Sequence, residues 1–179
     1  MRLKLITGPT AEALHLDDVK KSALRVYNED DDYRISRLIV SAREAFENFA
    51  NRILLSSTWD LYLDAFADVI ELIPPATSVT NIKYQDSSDV QQTLAITYYV
   101  TDFITEPARI TLAYGQSWPS TYGELNDVVI RFVAGYANAA AVPEGIKQGM
   151  MLHIQEAYDG TDRTASYEAL WWPYRIEPI

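Results

Sequence analysis

The 179-residue chain has no cysteine. That excludes disulfide staples, thiol nucleophiles and cysteine-ligated zinc. Histidine is scarce: His15 and His153 are the only two, so a His-rich metal site or an ordinary His relay is poorly supplied. Basic residues are few, 15 against 25 acidic, for a formal net charge of −10. Phosphate-grasping nucleic-acid binding needs clustered Lys and Arg, and the balance here opposes it. No run reaches the roughly 18 apolar residues that span a bilayer, so no membrane partner is expected. Met1-Arg2-Leu3-Lys4-Leu5-Ile6 opens like a signal sequence, but its apolar run stops at Thr7-Gly8-Pro9. The expectation is a protein made in the cytoplasm that stays soluble or joins an assembly. The seven glycines are scattered and form neither a Walker A loop nor G-x-G-x-x-G. G-x-S-x-G and H-E-x-x-H are missing as well. No cofactor, metal or catalytic set is expected, and the protein reads as a non-enzyme.

A hydrophobic content of 48% with 22% charged residues is that of a folded chain. The length suits one domain, residues 1–179, with a real core. Charge is unevenly placed. Residues 1–52 balance nine bases with nine acids, whereas residues 53–179 hold six bases and sixteen acids. Two neighbourhoods for the two regions, or a merely acidic solvent face on the second, both fit this split.

The periodicity changes along the chain. Residues 1–15 read as an extended arm broken by Gly8-Pro9. Leu16 to Val26 reads as a short amphipathic helix, with His15 as a local cap. About Asp31 to Arg52 is the strongest helix, its apolar face formed by Ile35, Leu38, Ile39, Ala42, Ala45, Phe46 and Phe49. Arg34, Arg37, Arg43, Glu44 and Glu47 take the opposite face. The acidic run Glu29 to Asp32 suits a helix cap and dipole-matched first turn, or a divalent-metal loop; no closing Glu at EF-hand spacing follows, which favours the cap. From Ile53 the period falls to 2, and about six short strands are predicted up to Tyr136. Pro143 opens a helix to about Tyr158, stopped by Asp159-Gly160, in which Gly145 and Gly149 allow close packing against another helix. Its apolar face is expected to meet that of the long helix. His153 lies on the apolar side and reads as a satisfied core or interface histidine. Residues 161–170 form one more short helix.

The fold class is α+β. The helical part covers approximately residues 16–52 and 143–170, and an inserted antiparallel β-region approximately 53–136. The tail, 171–179, is too proline-rich to be helical.

Candidate interface residues follow from residue type. Trp118 and Tyr122 stand in a Gly- and Pro-containing loop, either as exposed anchors or folded back over the sheet edge. Trp171, Trp172, Pro173 and Tyr174 form an aromatic tail, expected to dock on a partner, with burial in the chain's own core as the alternative. Asp60 and Asp64 share the polar side of a strand and read as solvated acids. With Asp86 and Asp89 they are candidate lining for an acidic surface. As an acid–base or metal pair Asp60, Asp64 and Asp68 have no basic neighbour in sequence to support them.

Taken in order, the motifs resemble the head–tail connector, or adaptor, proteins of tailed bacteriophages. The N-terminal part is Leu16 … Lys21-x-x-Leu24-Arg25-Val26, Asp31-Asp32 and Ile35-x-x-Leu38-Ile39-x-x-Ala42-Arg43. The middle is Trp59 … Leu63-Asp64 … Phe66, Ile70-x-Leu72 … Pro75, Ile82-x-Tyr84 and Pro107-x-Arg109-Ile110. Most distinctive is Gly115-x-x-Trp118-Pro119 … Asn126-x-Val128-x-Ile130-x-Phe132-Val133-Ala134-Gly135-Tyr136, followed by Val142-Pro143-x-x-Ile146-Lys147-Gln148 and the closing Pro173-Tyr174-Arg175.

The resemblance implies a structural virion protein in the neck, present in the host cytoplasm during assembly. It implies a ring, dodecameric in the family, beneath the portal protein. The ring would extend the DNA channel and carry the next neck, stopper or tail component. Genomic double-stranded DNA would pass without sequence-specific binding, and an acidic lumen around Asp60, Asp64, Asp86 and Asp89 suits a conduit that offers no phosphate clamp. The competing reading is a non-enzymatic carbohydrate-binding module in which Trp118 and Tyr122 stack on a sugar.

Overall fold

The computed structural model describes residues 2–161 and 164–177, with the side chains of residues 164 and 165 left out. It is α+β, as its sequence pattern predicts, with four α-helices and eight antiparallel strands among the described residues. The chain divides into two compact units, one of strands and one of helices.

The β-unit joins the start of the chain, through Gly8, to Ser56–Gly135. Its larger sheet contains β1 (Arg2–Thr7), β2 (Ser57–Leu63), β8 (Val128–Ala134), β4 (Ala76–Gln85) and β5 (Gln91–Thr93), in that order. A smaller sheet orders β3 (Val69–Leu72), β7 (Ala108–Leu112) and β6 (Tyr99–Asp102). The predicted extended arm is thus a paired edge strand, with Leu3 opposite Leu61 and Lys4 opposite Asp60. Alternation does the sorting. Val128, Ile130, Phe132 and Ala134 are buried on one side of β8, while Val129, Arg131 and Val133 lie half-buried on the other. Leu61 and Ile82, opposite Ile130 in register, are buried with it. Ile70 and Leu72 in β3, Ala108 and Ile110 in β7 and Tyr99 in β6 are the buried residues of the smaller sheet. Burial of such aliphatic side chains contributes about 1.5–3 kcal/mol each.

The helical unit holds Pro9–Leu55 and the chain from Tyr136 onward. A single turn, α1 (Leu16–Asp18), has His15 as its cap, Nδ1 accepting from the Asp17 N–H at 3.4 Å. The chain then winds as a π-helix over Val19–Leu24, wider than the predicted α-helix, and stops at Arg25 with φ 57°. That winding buries Lys20, which pairs with Asp32 at the start of the next helix. α2 (Asp32–Ala50) buries Ile35, Ile39, Ala42, Phe46 and Ala50, the i, i+3, i+4, i+7 face of the sequence pattern. It ends on Asn51 at φ 52°, a left-handed cap that asparagine tolerates. α3 (Glu144–Asp159) follows Pro143 and closes on Gly160 at φ 69°. Ile146, Met150 and Ile154 join α2's buried face in one core, as expected.

Residues 171–174 correct the expectation of a non-helical tail. α4 (Thr164–Trp171) runs straight into a 3₁₀ turn over Trp172–Tyr174. Proline lacks only the N–H that a helix's first turn leaves unbonded, so Pro173 fits at the start of this turn.

Candidate functional site

The four tail residues separate. Trp171 is 1% exposed and belongs to the helical core, which corrects its assignment as a docking residue. Its ring meets Tyr167 at 4.8 Å and Phe46, edge-on, at 5.6 Å. The indole N–H donates to the Ile146 carbonyl at 3.2 Å. A buried tryptophan needs such an acceptor, and α3 supplies one because Gly149 lets the indole approach. A Cβ at Gly149 would lie 2.2 Å from the Trp171 nitrogen, and one at Gly145 3.1 Å from the Tyr174 hydroxyl. The two glycines therefore allow the close packing expected of them, seating α4 and the turn after it.

Trp172 is 63% exposed. It is bracketed by Phe49, centroids 6.2 Å apart, and by the Arg175 guanidinium 5.3 Å from its ring centre. Pro173 is exposed and Tyr174 half-buried. Beyond them the backbone is tied to the end of α2: the Ile176 N–H donates to the Ala50 carbonyl at 3.0 Å, and the Asn51 side-chain amide donates to the Ile176 carbonyl at 2.8 Å. The surface here is an anchored aromatic held by a cation, not a free strand of tail.

The aromatic loop between β7 and β8 folds back. Trp118 stacks on Phe66 at 4.7 Å with planes 5° apart, and Phe66 meets Tyr84 edge-on at 5.7 Å. The indole N–H of Trp118 is buried without a hydrogen-bond partner among the described residues. Phe66 thereby covers one face of the indole. Tyr122 stays 45% exposed, its N–H donating to the Gln85 carbonyl at 3.1 Å. Asp127, buried, holds the loop by accepting from the N–H groups of Gly123 and Glu124 at 2.5 and 3.0 Å. A cavity of about 560 Å³ opens beside it, lined by Asp64, Ala65, Thr121, Gly123, Glu124 and Leu125.

The four candidate acids are not alike. Asp60 is 3% exposed and takes two 2.8 Å hydrogen bonds from the Arg131 guanidinium, its cross-strand neighbour. The expectation of a solvated acid there is corrected: a strand's alternation shows the face of a residue but not the cation opposite it. Asp64 is exposed and accepts from the Asn126 N–H at 2.9 Å. Asp86 builds the β4–β5 turn, accepting from the Gln92 amide at 2.8 Å and the N–H groups of Ser88 and Val90. The Gln92 hydrogen bond, then those two N–H groups, hold its carboxyl below the usual range. Asp89 follows at φ 59°, exposed.

Other polar groups escaped the sequence reading. Arg43, read as a solvent-face residue, is only 14% exposed at its side chain and pairs with Glu12 at 3.0 Å and Glu47 at 3.1 Å. Glu47 also accepts from the Leu54 N–H at 2.9 Å, yet burial pushes its carboxyl up overall. Asp31 does not cap α2 with its side chain; it accepts from the Tyr158 hydroxyl at 2.7 Å instead. That bond holds the phenol above its ordinary value. Asp102 organises the β6–β7 turn, its carboxyl held well below the usual range, first by the Arg109 guanidinium at 2.8 Å. His153 packs edge-on to Tyr167 at 5.0 Å, with a buried Nδ1 that has no hydrogen-bond partner among the described residues. The ring is half-buried rather than part of the core and is not satisfied at Nδ1, and burial lowers its pKa. Among the described residues no group of three His, Asp or Glu is placed to hold a metal. No helix there is long and apolar enough to cross a membrane.

No protein-family model matches this sequence. No curated protein matches it either. Solved structures do match over the whole chain. A chain in the neck of an empty gene transfer agent (GTA) particle, computed with C6 symmetry, is similar with a TM-score of 0.83 at 23% identity, covering 100% of this chain and 97% of that one. A chain in the virion of a native GTA particle is similar with a TM-score of 0.83 at 22% identity and the same coverage. A third, in the neck of a native GTA particle computed with C12 symmetry, has a TM-score of 0.80 at 21% identity, again covering 100% and 97%. Both units of this chain, helical and β, therefore share the fold of chains found in GTA particles.

Proposed function

We propose that the protein is a structural component of the neck of a virion or virion-like particle. In this reading it is a head–tail adaptor that assembles as a ring beneath the portal, extends the DNA channel and carries the next neck or tail component. The observation that carries the reading is the end-to-end correspondence with a GTA neck chain, 100% of this chain against 97% of that one. A fold alone does not specify a function, but correspondence over both units favours a shared role. The C6 and C12 symmetries of those necks support a ring. No catalytic step is part of this function.

Trp172, with Pro173 and Tyr174 around it, is the candidate contact with the portal or a neighbouring subunit. Aromatic anchors dominate binding energies at interfaces, and their loss typically costs 2 kcal/mol or more. Asp86 and Asp89 remain the candidate acids of the channel wall. The test is negative-stain imaging of the purified protein, alone and mixed with the portal protein from the same genome. Rings capping one end of the portal are the expected result. Failure to bind the portal at micromolar concentration overturns the adaptor role.

A further inference from the structure

The outer face of the larger sheet carries the charge opposite to that of the chain. Reading across the strands in register, one row is Arg2, Tyr62, Val129 and Lys83, and the next is Lys4, Asp60, Arg131 and Asn81. The β-unit contains five basic and ten acidic residues. Four of those bases and one acid, Asp60, stand in these strand rows, and Asp64 and Asp127 continue the same alternation just past the end of β2 and before β8. Arg131 occupies both oxygens of Asp60 at 2.8 Å. Arg2, Lys4 and Lys83 are left without a carboxylate partner among the described residues.

Solubility does not require this selection, since Glu or Asp would solvate the positions equally well. Between the cations Tyr62, Val129 and Val133 remain half-exposed. An apolar floor with a charged rim is the anatomy of an interface.

We propose that this face is one half of a contact between copies of this chain, and that it docks on the acidic cavity at Asp64 and Glu124 of the next copy. The inference rests on the ring reading above. Charge complementarity selects the occupant. The cavity of about 560 Å³ is lined by two acids and no base. Glu124 has no side-chain partner among the described residues, and Leu125 beside it is 68% exposed. It lies past the end of β2 and ahead of β8, so each copy carries both halves. Contacts between two different patches of one chain are heterologous, and they form rings where the rotation closes. Duplex DNA fits less well. Three free cations neutralise about three phosphates, and a chain of net charge −10 repels the rest.

Charge exchange tests the pairing. Arg2→Glu with Lys83→Glu makes the face acidic without touching the Asp60–Arg131 pair. Asp64→Asn with Glu124→Lys makes the cavity basic and keeps an acceptor for the Asn126 N–H. Melting temperatures near wild type establish that both variants fold. Sedimentation velocity at low salt is expected to show concentration-dependent association of the wild type. Each variant alone should associate at least about tenfold more weakly. Their equimolar mixture should recover, because every contact in an alternating ring again pairs opposite charges.

Three results overturn the proposal: a wild type that does not self-associate, a folded face variant that associates normally, or a mixture that does not recover. If the face variant instead loses retention of a 30-base-pair duplex while self-associating normally, the face serves DNA and the proposal fails. Portal capping is scored separately. Wild-type and both variants capping the portal alike would sink this inference and leave the adaptor reading standing. A wild type that associates as described but ignores the portal does the reverse.

Discussion

At the scale of single residues, the clearest dependence is that of Trp171 on Gly149. Alanine usually stabilises a helix by about 1 kcal/mol over glycine. Here a new Cβ would meet the Trp171 nitrogen at 2.2 Å, and the indole must move off the Ile146 carbonyl. Overpacking costs about 1–3 kcal/mol and the stranded donor a similar amount, so the clash outweighs the propensity. Gly149→Ala is expected to lower the melting temperature and shift tryptophan emission to the red; an unchanged spectrum would refute the packing. His153 makes a pH prediction. Its folded pKa is lowered, chiefly by burial, so the unfolded chain binds the proton more readily. Stability from this group is complete above the unfolded value, about 6.5, and is lost as pH falls below it. Glu47 runs the other way, its raised carboxyl favouring the fold toward acid. The difference between wild type and His153→Gln from pH 8 to 5.5 isolates the histidine. The wild type should lose more stability toward acid, and parallel curves would contradict the assignment.

At the scale of elements, α2 and α3 meet through faces that periodicity alone predicts. Ile39 is 3% exposed in that seam. Ile39→Asp buries an unpaired carboxylate and should destabilise by several kcal/mol in chemical denaturation. A midpoint within error of wild type would rule out the seam. The stretch from α4 to Ile176 behaves as two parts. A chain ending at Ala169 loses Trp171 and the hydrogen bonds of Ile176 to Ala50 and Asn51. Removing a buried tryptophan costs about 3–5 kcal/mol, so this truncation is expected to unfold or melt far lower. Trp172→Ala, by contrast, removes an exposed ring and should leave the melting temperature nearly unchanged while weakening portal capture. If the truncated chain melts normally, the core assignment of Trp171 is wrong.

At the scale of the whole molecule, the sequence's acidity is not a uniform coat. The sheet face with Arg2, Lys4, Lys83 and Arg131 is basic, and the acids cluster in turns and loops, as at Asp64, Asp86, Asp89 and Glu124. Such a surface offers DNA few phosphate contacts. Retention of a random-sequence duplex at about 150 mM salt is expected to be undetectable by gel shift. Tight, salt-resistant binding would contradict a conduit.

The sequence by itself determined the two periodicities, and with them the α+β class. Ile35 to Phe46 recur at helical spacing and Val128 to Ala134 alternate, and each pattern can bury its apolar side in only one kind of element. It also determined the stop at Gly160 and the close packing at Gly145 and Gly149, because backbone freedom and the lack of a Cβ are properties of the residue itself. Only the tertiary structure decided which polar groups are exposed. Asp60 and Arg131 are 71 positions apart and become partners through register. Arg43 meets Glu12 only once the segment before α1 is laid against α2. Two adjacent tryptophans of identical chemistry end at 1% and 63% exposure. One faces Gly149 of α3, and the other stands at the next position, about a third of a turn further round, a direction set by the neighbour and not by the residue.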